Sequence, residues 1–418
     1  MTAPSLSSKL KALGVQIGAR DMPPPQSSEL RRPNYAIENV MRGRVVENQD
    51  GACFVVENVY AADHQHGAVS LHAPLPLARV AQWARDERIA ACVRESLVFL
   101  DTETTGLAGG TGTLPFMLGV GRFIDSQFHV AQFFMREPSD EAATLTALSE
   151  WLPPCELLVT FNGKAFDVPL VQARYTLQRR EWPLSTVAHL DLLMLARRLW
   201  RDRLASRALG ALERDILGAL RAHDDVPGWL IPELYVQYVK TGDARPLKGV
   251  FYHNAMDIVA MAALLGHVAQ LLDDPLSDAV QHPIDYVSLG KIYEGFGEHE
   301  LAANAYERGM ASDLPSNSFN EAAERLASLH RKLGQFERTL ELWHAAAKRG
   351  ELYAHLSLAK YYEHQARDYS MAERMTHEAI ALVQSDKFSG RERRKLLPEL
   401  QHRLERVRHK QRAVNSEE

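Results

Sequence analysis

The chain has 418 residues, 46% of them apolar and 24% charged, with a formal net charge of −5. That length calls for two or three domains rather than one, and the composition is that of a globular protein rather than a disordered or fibrous one. The acidic balance excludes a polycation, so any contact with nucleic acid must rest on local basic patches. Three cysteines, Cys53, Cys92 and Cys155, form no C-x-x-C pair. This argues against a disulfide framework or a zinc ribbon and fits a reducing compartment. The N-terminal stretch lacks the apolar core of a signal peptide. No apolar run reads as membrane-spanning, so a cytoplasmic protein without a membrane partner is expected.

In chain order, residues 1–35 read as a tail or linker, because "MPPPQSSELRRP" can bury little. Residues 36–90 read as a small β-containing lead-in, with two strands in "GRVVENQDGACFVVENVYAA" turning at Asp50-Gly51. From residue 91 to 275 the pattern is mixed α/β. "LVFL" is a short buried strand, "TTGLAGGTGTLP" a glycine-rich connection, and "FMLGVGRF" and "FHVAQFFM" two further strands. "DEAATLTALSEWL" is an amphipathic helix with acids in its first turn. "LLVTFN" is another buried strand, and "DVPLVQARYTLQR" a helix with proline near its start. A sheet of this kind, covered by helices, can carry a site at its strand ends.

Past residue 284 the strand signals stop. "GEHELA", "GQFERT" and "RDYSMA" begin at residues 297, 334 and 367, steps of 37 and 33, and each follows an apolar helix. Small residues, Ala302, Ala305, Ala345, Ala372 and Ala379, sit where paired helices must touch. A period near 34 with this layout resembles tetratricopeptide (TPR) repeats over 284–385. Residues 386–418 read as a basic C-terminal helix or tail.

The chemistry is carried by acids. Asp101 and Glu103 follow "LVFL" one residue apart, so on a strand they share a face. Two like charges repel there, more so when buried, and cations between them relieve the repulsion. Oxygen-only ligands suit Mg²⁺ or Mn²⁺ rather than Zn²⁺. Asn162 and Asp167 frame an N-x-x-x-F-D pattern after the next strand. Asp257 is expected at the start of an apolar helix, with His253 four residues earlier on the same face. An imidazole beside a carboxylate can activate water or shuttle a proton.

D-x-E on a strand, then N-x-x-x-F-D, then an aspartate preceded by His or Tyr resembles the DEDD exonuclease superfamily, whose fold is ribonuclease H-like. "HLDLLMLARRLW", "VPGWLIPELYVQYVKTGDARPL" and "YHNAMDIVAMAALLGHV" resemble the YprB-like bacterial ribonuclease H-like proteins, which couple such a domain to C-terminal TPR repeats. The resemblance covers about residues 40–380. It implies an α/β fold, a ribonuclease H-like mixed sheet with flanking helices, followed by an all-α TPR-like domain. It further implies phosphodiester hydrolysis with two metal ions, Mg²⁺ or Mn²⁺, by a 3′→5′ exonuclease acting on single-stranded ends. On this resemblance Asp101 bridges the ions, Glu103 and Asp257 complete one site, and Asp167 holds the other. In the family pattern a histidine lies five residues before the last aspartate, or a tyrosine four before. Here Tyr252 lies five before and His253 four before, so the residue types are exchanged. His253 is the favoured base, since an imidazole titrates near neutral pH, and Tyr252 is its rival. Thr102, Thr104, Gly106, Asn162 and Lys164 are the expected substrate contacts.

Other features carry less. The arginines of "RRLWRDRLASRALGALER" would suit a phosphate backbone or a solvated helix face equally, with Asp191 as a helix cap ahead of them. His64 and His66 have no evident third metal ligand and read as structural. The glycine-rich connection lacks the spacing of a nucleotide-binding phosphate loop; its glycines would let a substrate strand come close. The partners expected are DNA or RNA, with a protein partner on the repeats. The alternative is a scaffold that binds nucleic acid or protein without cutting. An inactive chain would be expected to lose acids, because four unneeded like charges cost stability, and all four are present.

Overall fold

The computed structural model describes residues 35–106, 112–222 and 225–415. The expected N-terminal tail and the centre of the glycine-rich connection lie outside these. The sheet contains β1 (Arg44–Asn48), β2 (Gly51–Tyr60), β5 (Leu97–Thr104), β6 (Pro115–Ile124), β7 (Gln127–Phe134), β8 (Leu157–Thr160) and β9 (Ala188–Asp191), while β3 (Gln65–His66) and β4 (Val69–Ser70) make a separate small hairpin. The strand order is β1-β2-β7-β6-β5-β8-β9. It is antiparallel from β1 to β5 and parallel from β5 to β9.

The lead-in is therefore not a separate piece. Phe54–Tyr60 pair along β7. Cys53 and Val55 face one hydrophobic core while Phe54 and Val56 face another. A strand apolar on both faces needs cover on both, and only the larger sheet supplies it. The fourth strand of the expected series is likewise followed by β9, a four-residue strand too short to give a periodic signal.

Helices cover both faces. On one, α1 (Glu141–Trp151) and α2 (Asp167–Leu177) pack on Val98, Leu100, Leu118 and Val120. On the other, α3 (Leu192–Trp200), α4 (Ile231–Thr241) and α5 (Leu247–Asp273) pack against Leu97, Phe99, Phe116, Phe128 and Val130. By length and composition α5 could cross a membrane, which corrects the expectation that no such stretch exists; 78% of its most apolar window is buried inside the protein. It is apolar all round because sheet and helices enclose it. Gly119 and Gly121 of β6 admit it: a Cβ on Gly119 would collide with Asn254, and one on Gly121 with Ile258 and Phe128.

The second domain is a helical repeat: α6 (Pro283–Phe296), α7 (His299–Met310), α8 (Ser316–Lys332), α9 (Phe336–Lys348), α10 (Leu352–His364), α11 (Tyr369–Gln384) and α12 (Gly390–Asn415). The three repeated segments begin at the turns inside successive helix pairs, where Gly297, Gly334 and Arg367 all take left-handed φ (79°, 75° and 53°). Two glycines meet that requirement without strain. The C-terminal helix is no free tail, since Leu400 joins Ala379 and Val383 of α11 in a shared core.

The repeat is fused to the sheet domain. Tyr286, Leu289 and Ile292 of α6 belong to the same core as α5. Arg203 pairs with Asp285 at 2.6 Å, and Arg198 donates to the Lys291 carbonyl at 3.0 Å. The arginine-rich stretch is thus not one helix. It breaks after Trp200, and Arg198 and Arg203 dock the repeat instead of standing ready for phosphate.

Candidate active site

β5 runs through both acids, so Asp101 and Glu103 lie within the strand, on the face covered by α5. Asp167 is the first residue of α2 and reaches the site from the opposite face, where the Thr102 hydroxyl donates to its Oδ1 at 2.5 Å. Asp257 lies well inside α5 rather than at a helix start, because the helix begins ten residues earlier, at Leu247. Three elements therefore bring four carboxylates to one cavity of about 240 Å³. Thr102, Thr104, Asn162, Phe166 and His253 also line it. Lys164 and Gly106 do not.

The turn carrying the second motif is braced. Asn162 has φ 64°, a left-handed value that asparagine tolerates. The buried Asp191 carboxylate accepts from the Asn162 and Lys164 amides at 2.8 and 3.1 Å, and caps α3 through the Leu193 amide. Lys164 thus contributes its backbone to the turn. The Thr104 hydroxyl donates to the Gly106 carbonyl at 2.8 Å, which tethers the start of the glycine-rich connection.

Electrostatics set this cavity apart. Burial, and then the charges of Asp257, Glu103 and Asp167, push the Asp101 carboxyl well above the usual range. Glu103 is likewise raised well above it by burial, with Asp257 and Asp167 adding and Arg221 opposing. Burial raises Asp167 to about 6 against the hydrogen bond from Thr102. Protein groups do little to neutralise the cluster. Among the described residues, the only basic side chains paired with the four carboxylates are Arg221 and His253, both at Asp257.

These two lie on the wall of a larger adjoining cavity, of about 590 Å³. Arg221 pairs with Asp257, with Glu213 at 2.5 Å and with Asp225 at 3.4 Å. His253 Nδ1 lies 2.8 Å from Asp225 and Nε2 3.7 Å from Asp257. Its spacing does place it on the Asp257 face. Tyr252 is turned away, its hydroxyl accepting from the Ala222 amide at 2.8 Å. Its role is to hold the Arg221 segment. His66, buried, lies 2.9 Å from buried Glu213, so it supports Arg221 from behind.

Sequence reading missed the amides beneath the acids. Asn254, fully buried, donates to Asp101 Oδ2 at 2.8 Å. Gln132, also fully buried, donates to Asn254 Oδ1 at 3.0 Å and to the Phe251 carbonyl at 2.8 Å. The signal was present: each is a lone amide in an apolar run, "FHVAQFF" and "YHNAMDIVA". A buried amide needs a partner, and here that partner chain ends on Asp101.

The donor set suits a hard divalent cation, being all oxygen and strongly anionic. The oxygens are not gathered into a finished cage: among the described residues no three His, Cys, Asp or Glu side chains are arranged to hold an ion as they stand. Arg221, Asn254 and Thr102 engage one oxygen each of Asp257, Asp101 and Asp167.

Comparison with known proteins bears on this arrangement. The RNase H superfamily model matches residues 98–269, a span containing all four carboxylates. Over 342 residues the chain is 31% identical to the uncharacterized protein YprB of Bacillus subtilis (strain 168), covering 80% of this chain and 81% of that protein. An identity over 342 residues is longer than the sheet domain alone, so it reaches into the helical repeat and joins the two domains in one lineage, and the chain belongs to the RNase H superfamily as a YprB-like protein with this nuclease-type fold.

Proposed function

We propose that the chain is a metal-dependent nuclease of the DEDD type, hydrolysing phosphodiester bonds with two Mg²⁺ or Mn²⁺ ions. The observation that carries this is the convergence of four carboxylates on one cavity with little protein countercharge. A fold does not retain such repulsion for stability. Asp101, Glu103, Asp167 and Asp257 would hold the ions. When bound, these supply positive charge for the phosphate and lower the pKa of water.

The protein's own groups do the rest. Asn254, fixed by Gln132, holds one Asp101 oxygen and leaves the other to the cavity. Thr102 does the same for Asp167. His253 reaches the cavity beside Asp257 while Asp225 binds its Nδ1, a pairing that leaves Nε2 as the atom to take a proton from water. The substrate is nucleic acid, DNA or RNA. An end-directed, 3′→5′ attack on single strands follows from the DEDD resemblance. The helical repeat, read as TPR-like, has the layout of a partner-binding module.

The test is cleavage of 5′-labelled single- and double-stranded DNA and RNA by wild type and Asp101→Asn in Mg²⁺, Mn²⁺ or EDTA. A metal-dependent ladder shortening from the 3′ end, absent in the variant, is expected. A second reading, a non-cutting scaffold, has one observation in its favour: Arg221 already occupies Asp257. No cleavage of any substrate, together with no metal-induced rise in melting temperature, would select it.

A further inference from the structure

The helical repeat carries a cavity that the proposed chemistry does not use. It lies between α8, α9 and α10, has a volume of about 220 Å³, and is lined by Arg331, Lys360 and His364 together with Phe336, Trp343 and Tyr361. Among the described residues, no Asp or Glu lines it. Neither Arg331 nor Lys360 has an ion-pair partner among the described residues. Phe336 is 44% exposed, although it is a large apolar side chain on a polar helix. Beside the cavity, His364 lies 3.5 Å from Glu363, and that single carboxylate also receives Arg403, Arg406 and Lys410 from α12. Three cations on one acid leave positive charge in excess, so the basic character continues from the cavity onto the last helix.

We infer that this cavity is a second nucleic-acid contact, which takes an unpaired nucleotide of a single strand. Two independent features select that ligand. Unpaired cations without a neighbouring acid attract phosphate and release its counterions. Aromatic side chains give any exposed base a face to stack on, and cation and ring together are the elements of sequence-tolerant single-strand binding. A duplex keeps its bases stacked inside and cannot offer one. An acidic peptide would satisfy the cations but leave the rings without a matching planar partner. The ligand class rests on the nuclease reading, since it is the substrate of that site which the repeat would grip. The surface itself does not involve the carboxylates. It would hold the strand while its end is at the sheet domain, so cleavage of long strands depends on it and cleavage of a dinucleotide does not.

The experiment uses the full chain carrying Asp101→Asn in EDTA, so that nothing is cut. Binding of labelled single-stranded DNA and RNA is followed by fluorescence anisotropy over a range of salt. Arg331→Gln with Lys360→Gln, both on exposed side chains, is expected to weaken binding about tenfold and to reduce the salt slope by about 1.4, at roughly 0.7 per lost phosphate contact. Phe336→Ser is expected to weaken binding severalfold with no change of slope. Unchanged affinity and slope in these variants, or no binding by the parent protein, overturns the inference. So does a labelled poly-glutamate peptide that binds more tightly than the oligonucleotide and loses affinity on Phe336→Ser, which would make the cavity a protein-docking site. If wild type cuts nothing but the variants still weaken binding, the nuclease reading has failed and the contact stands. If wild type cuts but the variants bind normally, the reverse holds.

Discussion

Glu363 and the four-carboxylate cluster handle buried negative charge in opposite ways. Glu363 is a single acid, 1% exposed, held by Arg403, Arg406 and Lys410, and the hydrogen bonds from Arg406 first and then Lys410 pull its carboxyl down to about 2. In the cavity of the sheet domain, four acids share Arg221 and His253, and Asp101, Glu103 and Asp167 are all raised. Both sites are internal to well-packed domains. At Glu363 the protein supplies the countercharge, and the acid staples α10 to α12. At the cluster it withholds countercharge, and stability is sacrificed to an anionic cavity. A carboxylate that only holds structure together looks like the first; one kept for a ligand looks like the second.

The largest effect that can break this contrast comes from Asp101→Asn. The substitution removes one of four repelling charges and keeps the shape. It is expected to raise the melting temperature of the metal-free protein by about 2–4 °C. In the same protein, metal-dependent cleavage should fall by about a thousandfold or more. Calorimetry in EDTA and the cleavage assay read the two halves separately, and a lower melting temperature would remove the crowded-charge argument. Glu363→Gln is the mirror experiment. It leaves three cations facing a neutral amide and should cost about 2–3 kcal/mol in the repeat, read by urea unfolding. Cleavage of a dinucleotide should not change. A stabilised Glu363→Gln would show that the two sites do not differ in kind.

How much of this was legible beforehand follows the same division. The acids themselves were legible as candidates, because each stands within or beside an apolar strand or helix, and local pattern suffices for that. The helix pairs of the repeat were readable from the spacing of "GEHELA", "GQFERT" and "RDYSMA", whose left-handed turns recur in register. What was not readable depends on contacts distant in sequence. Arg221 reaches Asp257 across 36 residues, and Asn254 reaches Asp101 across 153. No local period encodes either. The lead-in strands were seen, but not their place at the edge of the sheet, since pairing of β2 with β7 is decided by which faces remain uncovered. The arginines after Asp191 were misleading for a related reason: a cation bound for a domain interface and one bound for phosphate look alike in sequence.

The contrast also has a pH signature. Asp167 titrates near 6 in the folded protein against an ordinary value of 3.8. The folded state therefore holds its proton more tightly than the unfolded chain. The resulting penalty is absent below about pH 4, grows between 4 and 6, and is complete above 6. Asp101 and Glu103 act in the same direction. Glu363 has the opposite sign. Its stabilisation is fully present above its ordinary 4.5 and is lost as pH falls through about 2. Between pH 7 and 5 in EDTA, amide protection factors, taken relative to the intrinsic exchange rate at each pH, should rise in β5 and α5 and stay level in α10 and α12. A parallel response in both regions would dissolve the distinction.

The smallest effect tests the place where, among the described residues, the cluster does receive a full protein charge. Arg221 is held from behind by Glu213 and Asp225, so its pairing with Asp257 does not depend on Asp257 alone. If the cavity is kept anionic for a cation, Arg221 stands where it competes with that cation. Arg221→Gln should then destabilise the metal-free protein, because Glu103 and Asp257 lose their nearest positive charge and buried Glu213 is left with His66. It should also tighten Mn²⁺ binding, measured by calorimetric titration, by about five- to tenfold, the equivalent of about 1 kcal/mol. A variant that binds Mn²⁺ more weakly would assign Arg221 the opposite task. Its pairing with Asp257 would then be orienting a ligand, and the sheet domain would be supplying structural countercharge as the repeat does at Glu363.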